Sequence, residues 1–349
     1  MTQNFSIAGR AIGPDQPPFI IAEMSANHNG DLNRAMALLE AAAKAGADAV
    51  KLQTLKPDGI TINHDGPDFT IQDGPWKGYT LFGLYTEAQT PWAWHRPLFD
   101  RGRELGVIVF SSPFDKQAVD FLDDLGAPAF KIASFEMADT DLVAYAARKG
   151  KPMIVSTGMS GLGDIADTVD AIYKTGNRDL ALLHCISSYP APSDDANLAT
   201  IPHMAQAFDT LVGLSDHTHG TAVSVAAVAL GACIIEKHFT LSRADGGLDA
   251  AFSLEPAELT ALVKDCRTAW VARGHVSYAL EDCEKGNLAF RRSLYVVNPL
   301  KAGDVITEDL VRSIRPGYGL EPKFLPQILG RKARRDVAKG TPFEWSMLE

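Results

Sequence analysis

The sequence predicts an α/β protein, a (β/α)8 TIM barrel followed by a small β-rich domain. Three observations carry that expectation. Short apolar runs rich in Val and Ile recur eight times along the first ~250 residues, each ending in a polar residue and leading into a helical pattern. Continuous apolar runs are what strands buried on both faces look like, and parallel strands of that kind need helical crossovers. Eight such units in about 270 residues match the count and size of a closed barrel. A doubly wound open sheet is the competitor, but no Gly-x-Gly-x-x-Gly follows any early strand. Lastly, the rhythm stops near Gly286, which sets the expected division at 1–285 for the barrel and 286–349 for the second domain.

The predicted strands begin with the runs at 19–23, 49–53, 107–111 and 129–133, and continue at 153–156, 180–185, 211–215 and 233–238. Between them lie helix signals. Asp31 caps a pattern carrying Leu32, Met36 and Leu39 that closes near Gly46; Asp115 opens one with Ala118, Leu122 and Leu125, stopped by Gly126. Pro256 sits at a first-turn position ahead of Leu259, Val263, Cys266 and Trp270. One interval, 54–106, is too long for a crossover and rich in aromatics: Trp76, Tyr79, Phe82, Tyr85, Trp92 and Trp94. A long insertion after a barrel strand is where a substrate pocket is shaped. The tail shows a strand at 293–297, a turn at 301–304 and a basic cluster of Arg331, Lys332, Arg334 and Arg335.

Composition narrows the function classes. The chain has 349 residues, 46% apolar and 22% charged, an ordinary globular balance. With 33 Lys and Arg against 43 Asp and Glu, the net charge of −10 argues against a general nucleic-acid binder. No apolar run approaches the ~20 residues of a membrane span, and Met1–Phe5 lacks the features of a secretory signal. Four scattered cysteines without a Cys-x-x-Cys pair fit a reducing cytoplasm.

Barrel enzymes carry their chemistry at the C-terminal strand ends. Those ends read Glu23, Lys51 and Gln53, Ser111 and Ser112, Lys131, Ser134 and Glu136, Ser156, His184 and Ser187, Ser215, Asp216 and His217, Glu236 and His238. Lys51 and Lys131 lie inside apolar runs, where an unpaired ammonium is costly, so each needs an anion. Two inward lysines ringed by serines suit a phosphate or carboxylate. His217 and His238 end adjacent strands, and with a carboxylate such as Glu23 they suit a divalent ion. Asp216 reads either as an orienter of that site or as a turn cap, and His28 as substrate-facing or a turn residue.

In this order the motifs resemble the sialic acid synthase family. They are Ile20-Ile-Ala-Glu23-Met-Ser-Ala-Asn27-His28-Asn-Gly30, Lys51-Leu-Gln53-Thr54, Ser112-Pro-Phe-Asp115 and Lys131-Ile-Ala-Ser134-Phe-Glu136. Ser156-Thr-Gly158, Leu183-His-Cys185, Tyr189-Pro, Ser215-Asp-His217-Thr and Glu236-Lys-His238-Phe complete the set. Arg315-Pro-Gly-Tyr-Gly looks like the family's antifreeze-like (SAF) domain, and Ser187-Ser188-Tyr189 with the aromatic insertion is similar to its pseudaminic acid branch. The resemblance implies a transferase that condenses phosphoenolpyruvate with an N-acetylated amino sugar and releases phosphate. It implies phosphoenolpyruvate on Lys51, Ser112, Lys131, Ser134, Ser156, Ser187 and Ser215. Manganese, with magnesium or cobalt as alternatives, is implied on His217 and His238. Glu23, Glu136, Tyr189, Asp249 and Arg315 are implied in catalysis. The sugar then meets Gln53, Trp76, Tyr79, Tyr189, Asp249 and Arg315, with Arg315 presented by the partner of a domain-swapped homodimer. Legionaminic acid and N-acetylneuraminate synthases stay open within the family. Outside it, a Schiff-base aldolase and a non-catalytic carbohydrate-binding scaffold do too.

Overall fold

The computed structural model describes residues 4–349, and the chain divides after Gly274 into two compact units. The first opens with an antiparallel hairpin, β1 (Phe5–Ile7) and β2 (Arg10–Ile12). The eight predicted strands follow as β3 (Phe19–Glu23), β4 (Ala49–Thr54), β5 (Ile108–Pro113), β6 (Phe130–Ile132), β7 (Met153–Ser156), β8 (Leu180–Cys185), β9 (Leu211–Asp216) and β10 (Ile234–His238). All pairs are parallel, and β10 closes the barrel on β3. Helix α1 (Leu32–Ala45) has Asp31 accepting from the Asn33 N–H at one end and Gly46 in the left-handed region, φ 89°, at the other. Between β4 and β5 lie α2 (Pro57–Ile60), α3 (Leu81–Ala88) and α4 (Trp92–Leu105). The later crossovers are α5 (Lys116–Leu125, capped by Asp115), α6 (Thr140–Ala147), α7 (Leu162–Tyr173), α8 (Thr200–Phe208), α9 (Ala222–Ala229) and α10 (Pro256–Arg273).

Strand alternation places the chemistry. One side-chain set, including Phe19, Ile21, Ala49, Phe110, Ala129, Ile154, Leu183 and Ile234, fills the lower barrel interior together with Phe5, Ile7 and Ile12 of the hairpin. The other set, including Ile20, Val50, Leu52, Phe130, Val155 and Ile235, packs outward against the helices. Two residues beyond the inner apolar layer the same face turns polar: Glu23, Lys51, Ser112, Lys131, Ser156, Cys185, Ser215 and Glu236.

Two expectations shift. The predicted insertion at 54–106 contains an ordinary crossover, because α4 buries His95, Leu98 and Phe99, so the excursion proper is 55–91. The second compact unit begins at His275, ahead of the predicted Gly286. Helix α10 ends at Arg273, and the segment after it, including a 3-10 helix Asp282–Phe290, groups with the tail. That unit pairs β11 (Ser293–Val296) with β12 (Val311–Ile314), adds α11 (Leu325–Ile328) and has its own core around Leu294, Val296, Ile306, Ile328 and Phe343. Among the described residues no helix is long and apolar enough to cross a membrane.

Candidate active site

The polar ends of the inward strand faces open into a cavity of about 320 Å³. Its floor is an ion cluster centred on Glu236. Glu236 Oε1 accepts from Lys51 Nζ at 3.1 Å, Lys131 Nζ at 3.2 Å and Ser215 Oγ at 3.1 Å. Lys51 Nζ also lies 2.8 Å from Glu23 Oε2, off the hydrogen-bonding axis, so both Glu23 oxygens lack a donor. The anions that the two lysines required are thus Glu236 and Glu23. Burial, with Lys131 adding to it, brings the Lys51 ammonium down to about 7 against the pull of Glu236. Burial would raise Glu236, but the two lysines override it and hold the carboxyl well below its usual range. Glu136, on the loop after β6, is pushed by burial up to about 7 despite Lys131 and Lys51, and its Oε2 has no partner.

Further orphaned atoms cluster here. Ser112 Oγ, Ser156 Oγ, Glu236 Oε2 and His238 Nδ1 are buried without hydrogen bonds. Buried polar groups are rarely left unpaired, so this concentration marks a place for ligands. The His217 and His238 rings lie 5.4 Å apart between centroids. His217 Nδ1 is 2.9 Å from the Ile186 carbonyl, which fixes a proton there. Against burial, Cys185, that carbonyl and Glu236 raise the His217 pKa, so Nε2 offers a lone pair once its own proton is given up. Burial, with His217 and Lys51 nearby, holds His238 well below its usual value and therefore neutral. An Nε2 that can give up its proton and the unpartnered Nδ1 of His238 fit a divalent ion with two protein ligands. Among the described residues no group of three or more His, Cys, Asp or Glu is placed to hold a metal, so Glu23 does not join the two histidines as a third ligand.

Tyr189 joins the histidines to the wall, its ring 4.3 Å from His217 and 5.5 Å from Trp76. Asp249 accepts from Ser25 Oγ at 2.5 Å and from the Ala26 N–H, and burial raises its pKa. Gln53, Ser134 and Trp76 line the cavity, Trp76 anchored through Nε1 to the Leu248 carbonyl. Ser187 lies outside the lining, and a Cβ on Gly158 would come 2.2 Å from its hydroxyl and 2.8 Å from that of Ser134. Only glycine lets the two serines approach that backbone.

Several expectations are corrected. Tyr79 is exposed and donates to Glu87 instead of lining the cavity. Trp92 stacks on Phe121 and Trp94 meets His28 edge-on, both away from the cavity. Asp216 points outward, takes the Thr218 N–H and pairs with Lys237, so it caps the turn and does not orient His217. His28 accepts from the Gly30 N–H, a turn role. Arg315 follows β12 in the second unit, exposed, with no ion pair among the described residues. Sequence reasoning missed Glu236 as the hub, although it shares a strand face with His238. It also missed Cys185, brought down to about 7 against burial by His217, Ser134 and Lys131.

The NeuB family model matches residues 38–278, most of the barrel, and the SAF domain model matches residues 291–349. The chain belongs to the NeuB family. Among NeuB-family relatives, a pseudaminic acid synthase of Campylobacter jejuni is 43% identical over 93% of this chain and 95% of its own. An N,N'-diacetyllegionaminic acid synthase of Legionella pneumophila is 36% identical over 97% and 96%. The crystal structure of an N-acetylneuraminic acid synthetase from Leptospira borgpetersenii superposes with a TM-score of 0.74 at 31% identity, covering 82% of this chain and 95% of that one.

Proposed function

We propose that this NeuB-family enzyme condenses phosphoenolpyruvate with 2,4-diacetamido-2,4,6-trideoxy-L-altrose to give pseudaminic acid and phosphate. The observation carrying the sugar assignment is the 43% identity to a pseudaminic acid synthase along nearly the whole chain, against 36% to a legionaminic one. Lys51 and Lys131 hold the phosphate and carboxylate of phosphoenolpyruvate, with Ser134, Ser156 and Ser215 donating and Ser112 and Ser187 supporting them. C3 of phosphoenolpyruvate attacks the sugar aldehyde carbon, and positive charge develops at C2. Glu23, with two oxygens lacking donors, stabilises that charge and takes the proton of the water that adds there. Phosphate then leaves with C–O cleavage. Glu136, poised near neutrality, supplies the proton to the new hydroxyl. Gln53, Tyr189 and Asp249 orient the sugar. A divalent ion on His217 and His238, manganese first, supplies Lewis acidity toward the sugar carbonyl when bound.

A phosphate-release assay with phosphoenolpyruvate and three sugars, the altrose, the legionaminic precursor and N-acetylmannosamine, tests the reading. We expect highest kcat/KM for the altrose, loss of turnover in EDTA and recovery with Mn²⁺. Preference for another sugar sinks the sugar assignment, and undiminished turnover in EDTA sinks the metal role. The same reading makes the protein a cytoplasmic, domain-swapped homodimer serving surface-polysaccharide or flagellin glycosylation, with Arg315 acting in the partner's site. Mixing inactive Arg315→Ala and Glu23→Gln proteins should then restore some activity. No recovery, with subunit exchange verified, means that each site is built from one chain.

A further inference from the structure

We propose that the apolar face of α3 is the specificity wall of the site, selecting a sugar with a methyl at C6 over one with a hydroxyl there. The proposal rests on the synthase reading above. Helix α3 is capped by Thr80, whose side chain accepts from the Gly83 N–H. Leu81, Leu84, Tyr85 and Ala88 recur at i, i+3, i+4 and i+7 and therefore share one face. That face lines the cavity, while Thr86 and Glu87 on the other side are exposed.

Leu84 is only 8% exposed, while Leu81, Tyr85 and Ala88 are half-buried. Part of that face therefore stays open toward the cavity, where an apolar ligand group seated against it would remove it from water. Ile60, at the end of α2, and Ile71 extend the same wall. Ile71 is held there by backbone bonds, its N–H to the Tyr79 carbonyl and its carbonyl from the Gly78 N–H, both 2.9 Å. The cavity is therefore two-sided, with lysines and carboxylates on the floor and, Tyr85 apart, aliphatic side chains on the wall. The floor matches the charged substrate, and the wall is left for the sugar. The aliphatic members of that wall, Leu81, Leu84, Ala88, Ile60 and Ile71, cannot pair a hydroxyl, whereas a methyl against them is desolvated at no polar cost.

The test measures kcat/KM at saturating phosphoenolpyruvate for the 6-deoxy altrose and for N-acetylmannosamine, in the wild type and in Leu81→Asn, Leu84→Asn and Leu84→Met. We expect either Asn variant to lower kcat/KM for the 6-deoxy sugar roughly 10- to 200-fold, mainly through KM, the range a methyl-sized apolar contact commands. Its turnover of N-acetylmannosamine should not fall in parallel, the KM for phosphoenolpyruvate should hold, and Leu84→Met should lose less than Leu84→Asn because it conserves volume and apolarity. Leu81 is half-buried, so Leu81→Asn carries the test if Leu84→Asn fails to fold. An unchanged preference in the folded Asn variants overturns the wall while leaving the function intact. A wild type that prefers N-acetylmannosamine overturns the wall and the sugar assignment together. No phosphate release with any sugar overturns the proposed function itself.

Discussion

Glu236 and Lys237 are neighbours on β10, and they belong to two different kinds of buried ion cluster. Lys237 points outward and lies 2.9 Å from Asp216, with both side chains at 1% exposure. Every demand there is met: Asp216 also accepts from Thr218 N and Oγ1 and from Ser224 Oγ, and Lys237 donates to the Thr218 carbonyl. Glu236 points inward to a cluster that is nearly as buried and far less satisfied, with one of its own oxygens, both Glu23 oxygens and two serine hydroxyls making no hydrogen bond. A finished network holds a fold together, and an unfinished one waits for ligand atoms. The contrast turns only on strand parity, since one residue's step reverses the face.

Exchanging lysine for methionine in each cluster separates the two. Lys131→Met should lower kcat/KM by about 10²–10³-fold, largely through the KM for phosphoenolpyruvate, because it removes a charge aimed at the ligand. It should leave the urea midpoint close to wild type, since Glu236 keeps Lys51 and Ser215. Lys237→Met should do the reverse. It strands Asp216 as an uncompensated buried charge and should cost about 3–5 kcal/mol of stability, with ordinary phosphoenolpyruvate affinity in the protein that remains folded. If Lys131→Met proves the more destabilising and leaves KM unmoved, the inward cluster is structural too and the comparison fails.

The same parity explains how much was legible beforehand. The period of the apolar runs gave the eight strands, and Asp31, Asp115 and Gly46 gave helix ends, because these are local signals with local causes. Lys51 and Lys131 stood out because a charge inside an apolar run has no cheap explanation. Counting alternate residues back from His238 reaches Glu236, so the hub was within reach of the sequence, whereas its sharing between two lysines depends on barrel closure. Ser111, His184 and Asp216 sit at strand ends but face outward, where Thr54 and the Ala196 carbonyl hold the first two. The three-residue hairpin strands are too short to carry a period. Of the aromatics of 54–106, Trp76 and Tyr85 do line the cavity, whereas Trp92 and Trp94 misled because they belong to α4, whose packing on the barrel is a tertiary fact; the rest of the wall came from the plainer leucines of α3.

The smallest predicted effect is the uptake of about one proton per site, and it tests whether the inward cluster is unfinished in charge as well as in hydrogen bonds. Burial brings Lys51 down to about 7, so above that pH the amine is largely neutral. An arriving phosphate or carboxylate favours the charged form and raises the pKa. Binding phosphoenolpyruvate at pH 8 should therefore draw protons from the buffer, approaching about one per site. Glu136, raised to about 7, adds to that uptake because the same anion raises its pKa further. At pH 6 Lys51 is already mostly charged and Glu136 mostly neutral, so the uptake should shrink toward nothing. Calorimetric titration in buffers of different ionisation enthalpy reads the number directly. The Lys237–Asp216 pair faces away from the ligand and should contribute nothing, so Lys237→Arg should leave the uptake unchanged while Lys51→Met reduces it. Proton release at pH 8, or uptake that persists undiminished at pH 6, would mean that the cluster's charge is already settled before the ligand arrives.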